Sequence, residues 1–152
     1  MINLPNHVFS ALKVTGPDED VKRFREFAKS TDEDNTVLLL DANKFIPMPQ
    51  EIANSDDDSE IIEWCWDNWG TKWGFYEVEI QAEGSGLVVY RFLTAWSPIS
   101  PVIQKMSEVF PMLTFDYYAE EEMGQFNIRE VYYGGKLIHS YVKDWVEVTE
   151  GK

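Results

Sequence analysis

One cysteine, Cys65, stands among 152 residues, so no intrachain disulfide can brace the fold and stability must come from packing. That scarcity fits a reducing compartment, and the cytoplasm is the expected location. Histidine is nearly as rare. His7 and His139 lie far apart, and neither falls in a zinc-ligand or triad spacing, so no metal centre and no nucleophilic triad is expected. Long hydrophobic runs are missing too. The longest, Val37-Leu38-Leu39-Leu40, is far too short to cross a bilayer, and the start of the chain lacks the basic and apolar pattern of a secretory leader. No glycine-rich phosphate loop occurs, since Gly84-Ser85-Gly86 reads as a hairpin turn. These absences assign no catalytic residue and no cofactor, and they leave an enzyme as the least supported class.

Positive charge is the next shortage. Against 13 Lys and Arg stand 27 Asp and Glu, a net charge of −14. A field of that sign repels phosphate backbones and anionic lipid, so direct nucleic-acid or membrane binding is not expected. A partner protein with a basic surface is, including one whose task is to hold DNA or RNA. The acids fall in clusters: Asp18-Glu19-Asp20, Asp32-Glu33-Asp34, Asp56-Asp57-Asp58 and Glu120-Glu121-Glu122. Asp56-Asp57-Asp58-Ser59-Glu60 lacks the sixth-position glycine and distal glutamate of a calcium loop, so no metal is assigned to it. The last three clusters form a candidate acidic surface, able to imitate spaced phosphates in a basic groove. The plainer reading is that helix starts and solvated loops explain each cluster, and that the acidity keeps an aromatic-rich domain in solution.

Aromatic residues, by contrast, are plentiful. At 14% of the chain, within a hydrophobic content of 44%, they exclude wholesale disorder and predict one domain over residues 1–152. Residues 8–14 read as a strand. Pro17 then opens a helix that buries Val21, Phe24 and Ala28 and turns Lys22, Arg23, Arg25 and Glu26 outward. Residues 37–40 read as a short buried strand and 41–49, with Pro47 and Pro49, as an extended packed segment. A helix over 58–69 is apolar on more than one face. Residues 75–82 alternate, with Tyr76, Val78, Ile80 and Ala82 on one side, and turn back through 87–93 as a hairpin. Ser97-Pro98 opens a further helix, closed by Pro111. Strands at 113–119, 126–133 and 137–142 follow, and the tail past Trp145 is expected to fray. The resulting parts are a first β-α half and loop (8–56), an inserted Trp-rich helix (57–73), and hairpin, helix and C-terminal strands (74–143). Without the insertion the order is β-α-β-β-α-β. The fold class is α+β: a ferredoxin-like split β-α-β antiparallel sheet with helices on one face, the inserted helix, and an extra C-terminal β-hairpin.

Four tryptophans fall within Trp64-Cys65-Trp66-Asp67-Asn68-Trp69-Gly70-Thr71-Lys72-Trp73. If Trp69, Trp73 and Trp96 converge, they form an aromatic cleft with Asn68, Thr71, Lys72 and Ser97 as its polar groups, suited to a planar ligand or a peptide side chain. The competing reading has the insertion cap the open sheet face with its tryptophans. Cys65, among tryptophans and near Glu63 and Asp67, is expected to hold an unreactive thiol.

Several stretches together are familiar: Val14-Thr15-Gly16-Pro17, Phe45-Ile46-Pro47-Met48-Pro49, the tryptophan segment with its Trp69-Gly70-Thr71-Lys72-Trp73 core, Thr94-Ala95-Trp96-Ser97-Pro98, and Val109-Phe110-Pro111. Over residues 14–135 the chain resembles the Api92-like family, also described as the YubB ferredoxin-like domain, of bacteriophages, plasmids and other mobile elements. It departs from the family in its lower basic content and in lacking an Asn-Trp-Cys start. The resemblance implies a ferredoxin-like fold and a mobile-element setting, and it carries over no catalytic residue. The expected function is that of a non-enzymatic acidic accessory protein in the host cytoplasm. It would bind a host protein as a counter-defence inhibitor or nucleic-acid mimic. The alternative is a small-molecule or peptide-binding module using the aromatic cleft. An unpaired sheet edge would also permit a homodimer.

Overall fold

Along the first strand, β1 (His7–Thr15), the side chains alternate: Val8, Ser10, Leu12 and Val14 are buried, while Phe9 and Lys13 face water. One face of the sheet is therefore core and the other is open. The computed structural model describes residues 6–144, so the expectations for the extreme N-terminus and for the tail past Trp145 lie outside the described residues. After β1 come α1 (Asp18–Ala28), the two-residue strands β2 (Ser30–Thr31) and β3 (Val37–Leu38), and a 3-10 turn at Ala42–Lys44. The helices α2 (Gln50–Ala53) and α3 (Asp58–Trp69) follow. The remaining elements are β4 (Tyr76–Gly84), β5 (Leu87–Ala95), α4 (Ser100–Val109), β6 (Thr114–Glu121), β7 (Phe126–Tyr133) and β8 (Lys136–Asp144).

The main sheet runs β4-β5-β1-β6-β7-β8 and is antiparallel throughout. Its first four strands have the ferredoxin-like order, with β1 between β5 and β6, and β7–β8 extend the sheet as the added hairpin. The helix α1 buries Val21, Phe24 and Ala28, and α4 buries Val102, Ile103 and Met106. Phe24 is the hub of this core: the rings of Phe45, Tyr90, Phe110 and Phe115 surround it with centroids 5.3–6.2 Å away. Tyr117 lies fully buried, sharing a hydrogen bond with Ser10 and accepting one from the Ile99 backbone.

Four sequence expectations need correction. Residues 37–40 do not form a buried strand. Asp32 accepts the N–H groups of Asp34 and Thr36, closing a small surface hairpin that leaves Val37 and Leu38 exposed, while Leu40 is buried and Leu39 packs partly buried against the core. The segment 41–49 is not wholly extended. Asp41 caps a 3-10 turn by accepting from Asn43, and Pro49 opens the unforeseen α2. The alternation of β4 is broken by irregularities after Tyr76 and after Ile80. Tyr76 pairs with Leu93 of the open face, whereas Ile80 pairs with Tyr90 of the core face. Finally, the inserted α3 does not cap the open sheet face. It packs on the helical side, where Gly70 sits against Pro98 and Pro101 at the entry to α4.

Candidate functional site

Between Lys44 and Lys72 the chain has no basic residue and seven acids: Glu51, Asp56, Asp57, Asp58, Glu60, Glu63 and Asp67. The structure places all seven on α2, α3 and the loop between them, and all seven are exposed. Local chemistry builds this segment. Asp57 accepts the Ser59 N–H at the start of α3, and the first-turn acids suit the positive helix end. Gly70 ends the helix at φ 76°, donating its N–H to the Cys65 carbonyl. Cys65 and Trp69 point inward, which sends Glu60, Glu63 and Asp67 outward along one stripe. Trp66 is exposed beside that stripe.

None of the seven acids is ion-paired among the described residues. The acids of α1 are used differently. Asp18 and Glu19 pair with Lys22, Asp20 with Arg23, and Glu26 with Lys29. Charge is thus balanced on α1 and uncompensated from α2 through α3, a stretch we term the acidic insertion, where seven like charges raise the local negative potential.

The other candidate acids sit on separate elements. Asp32, Glu33 and Asp34 make the turn of the β2–β3 hairpin. Glu120 accepts from the Tyr118 hydroxyl, and Glu122 from the His7 N–H. Glu121 is not a surface residue. It is 2% exposed, and its Oε1 accepts the N–H groups of Met123 and Gln125, holding the β6–β7 turn.

The tryptophan candidates divide between core and surface. Trp69 is buried edge-on to Trp64, with its indole N–H on the Ile46 carbonyl. Thr71 is also buried and donates to the Ala95 carbonyl at 2.6 Å. Asn68 turns back to the Trp64 carbonyl, and the Ser97 carbonyl accepts from the Thr94 hydroxyl. Trp73 and Trp96 are 38% and 42% exposed. Lys72 lies over the Trp73 ring, 5.0 Å from its centroid, and Trp73 meets Tyr76 at 6.2 Å. The Tyr76 hydroxyl shares a hydrogen bond with His7 Nδ1 at 2.6 Å and donates to the Thr94 carbonyl. Burial first, then the charges of Glu77 and Glu122, raise this phenol's pKa to about 12. The surface cluster is therefore Lys72, Trp73, Tyr76 and His7, and no ring contact joins Trp73 to Trp96 among the described residues.

Cys65 is buried, and burial pushes its thiol pKa upward. A thiol-labelling time course on the native chain is expected to track unfolding, with labelling complete in denaturant. Rapid stoichiometric labelling of the folded chain would contradict this placement.

Among the described residues no cluster of His, Cys, Asp and Glu is arranged to hold a metal ion, and no helix is long and apolar enough to cross a membrane. A family model described as the ferredoxin-like domain in Api92-like protein matches residues 72–151, more than half of the sequence. The chain belongs to the Api92-like family. The crystal structure of protein Api92 from Yersinia pseudotuberculosis superposes with a TM-score of 0.70 at 8% identity, covering 90% of this chain and 97% of that one. At that identity the likeness is one of fold. No curated protein matches the chain. The Api92-like match begins at Lys72, so the acidic insertion lies ahead of it.

Sequence reading grouped the acids by adjacent runs and so missed Glu51, Glu60, Glu63, Asp67 and the exposed Trp66 as parts of one surface. The signal was the lack of any Lys or Arg between Lys44 and Lys72.

Proposed function

We propose that this Api92-like chain is a non-enzymatic binding protein that engages a partner with a basic surface through the acidic insertion. The observation that carries the reading is the set of seven exposed carboxylates on α2, α3 and their joining loop, none paired with a cation among the described residues. Spaced carboxylates on a rigid helix present a basic groove with charges it otherwise meets as phosphates. Trp66 adds an aromatic contact of the kind that anchors interfaces. In the mobile-element setting that the family resemblance implies, the partner is a host protein in the cytoplasm. The action is counter-defence by occupation of a nucleic-acid groove.

Affinity capture from host lysate at low and high salt tests this, with mass spectrometry of the eluted protein and a re-test of the purified partner. Exposed charges are screened beyond about 8 Å at physiological ionic strength, so binding is expected to fall steeply with salt. The triple change Asp56→Asn, Asp57→Asn, Asp58→Asn is expected to weaken capture at least tenfold, on the order of 1.4 kcal/mol, while Trp73→Ala leaves it unchanged. Salt-insensitive capture lost only in Trp73→Ala or Trp96→Ala would instead favour the second reading, a peptide or small-molecule binder. That reading draws on the exposure of those two rings.

A further inference from the structure

Between α1 and the β4–β5 edge lies a cavity of about 320 Å³ that is separate from both the acidic insertion and the tryptophan cluster. Lys22, Arg25 and Lys29 line one side: Lys22 and Arg25 stand at i and i+3 on one face of α1, and Lys29 follows the helix end in extended conformation. Leu39 and Ile80 supply an apolar wall, and Tyr90 completes it. Tyr90 is 1% exposed, with its ring edge-on to Phe24. Its hydroxyl makes no hydrogen bond among the described residues and is not fully enclosed, so its donor is open to a partner in the cavity. Burial raises its pKa to about 12, with Arg25 pulling it down and Glu83 pushing it up, so at neutral pH it is a proton donor beside a guanidinium.

The cations are engaged, but at the rim. Arg25 meets Glu83 at 3.0 Å, Lys22 meets Asp18 at 3.3 Å, and Lys29 meets Glu26 at 2.6 Å. Glu83 and Glu26 are largely exposed, and exposed pairs of this kind hold weakly, so an entering anion displaces them at small loss. Glu26 is the one acid in the wall, and Lys29 takes its charge. In a chain of net charge −14, this cavity brings three cations together.

We propose that this cavity binds a small organic anion. Arg25 and the Tyr90 hydroxyl hold its carboxylate or phosphate, Lys22 and Lys29 neutralise it at the mouth, and Leu39 and Ile80 receive its short aliphatic body. Arg25 suits the head group because its planar fork donates to two anionic oxygens together. The size of the cavity, near the lower limit for ligand sites, restricts the body to a few carbons.

The test is an NMR titration of the isotope-labelled full chain with hexanoate, hexyl phosphate and, as neutral control, hexanol. The expected result is saturable shifts at residues 22–29, 39, 80 and 90 with at least one anion below about 10 mM, and none with hexanol. The tighter of the two anions identifies the head group. Tyr90→Phe keeps the ring packing and is expected to weaken binding about tenfold, as loss of a hydrogen bond to a charged group does. Arg25→Met is expected to weaken it further, while Asp56→Asn leaves it unchanged. Three results would each overturn the site: no saturable shift with either anion, equal shifts with hexanol, or wild-type affinity in both Tyr90→Phe and Arg25→Met. Because the cavity shares no residue with the insertion, its failure would leave the partner-binding reading standing, and the converse holds too.

Discussion

Replacing Trp69 by alanine is expected to remove about 3–5 kcal/mol of folding stability, the range for deleting a large buried aromatic side chain. Three losses combine. The indole leaves a void against Trp64 and Gly74, the inserted helix loses its main inward contact, and the Ile46 carbonyl loses the indole N–H that reaches it at 2.9 Å. For a chain of this size the melting temperature would fall by roughly 6–20 °C. Trp73→Ala, at an exposed ring, is expected to cost under about 1 kcal/mol. Urea unfolding of both variants checks the contrast. Equal losses would mean that the insertion is not integral to the core.

The second large effect is expected at a turn. Gly86 adopts φ 68°, and a Cβ added there would lie 2.5 Å from the Gly16 carbonyl oxygen. The β4–β5 turn is pressed against the β1–α1 turn, with the Gly16 N–H donating to the Gly86 carbonyl and the Gly86 N–H donating to the Asp18 carboxylate. Gly86→Ala therefore meets both left-handed strain and a backbone clash, and is expected to cost roughly 2–4 kcal/mol. Gly84→Ala, two residues away, is the control. Its added Cβ meets nothing within 4 Å and its φ is not positive, so it is expected to be neutral or stabilising by about 0.4–1 kcal/mol. Denaturant midpoints of opposite sign at two glycines of one hairpin would establish the docking of the two turns. The Gly86 N–H, and secondarily Lys22, hold the Asp18 carboxyl below its ordinary value of 3.8. The Asp18 tie is therefore fully present above that value and is lost only as pH falls through the lower folded pKa.

Both contrasts bear on what the sequence could reveal. The limits of α3 were legible because Asp57 and Gly70 are strong start and stop signals around an apolar run, and the β7–β8 hairpin because Gly134-Gly135 separates two alternating segments. The face of Tyr76 was not legible, since a bulge leaves little trace in composition yet turns a side chain to the other side of the sheet. Residues 37–40 misled for another reason: a short apolar run looks the same whether it is buried or lies on a surface hairpin. Glu121 looked like its acidic neighbours, and only the β6–β7 turn shows that its carboxylate accepts two backbone N–H groups of that turn. Lys22 and Arg25 read correctly as the outer face of a helix, and Lys29 follows its end. That this face overlooks a cavity ending at Tyr90 depends on the packing of α1 against β5, which no local pattern encodes.

The position of β1 has a further consequence, in time rather than space. Of the strands in this sheet it is made first, and it lies between β5 and β6, so neither neighbour exists when it leaves the ribosome. At roughly 5–20 residues per second, the stretch from Thr15 to Ala95 takes on the order of 4–16 s to make. During that interval Val8, Leu12 and Val14 have no sheet to enter, and the nascent chain carries an unpaired apolar strand. The sheet can close only after the later strands emerge, which makes folding a late, long-range event and slow for a domain of this size. Newly made chains are thus most vulnerable to aggregation and proteolysis before β6 is complete, when help from a chaperone would matter most.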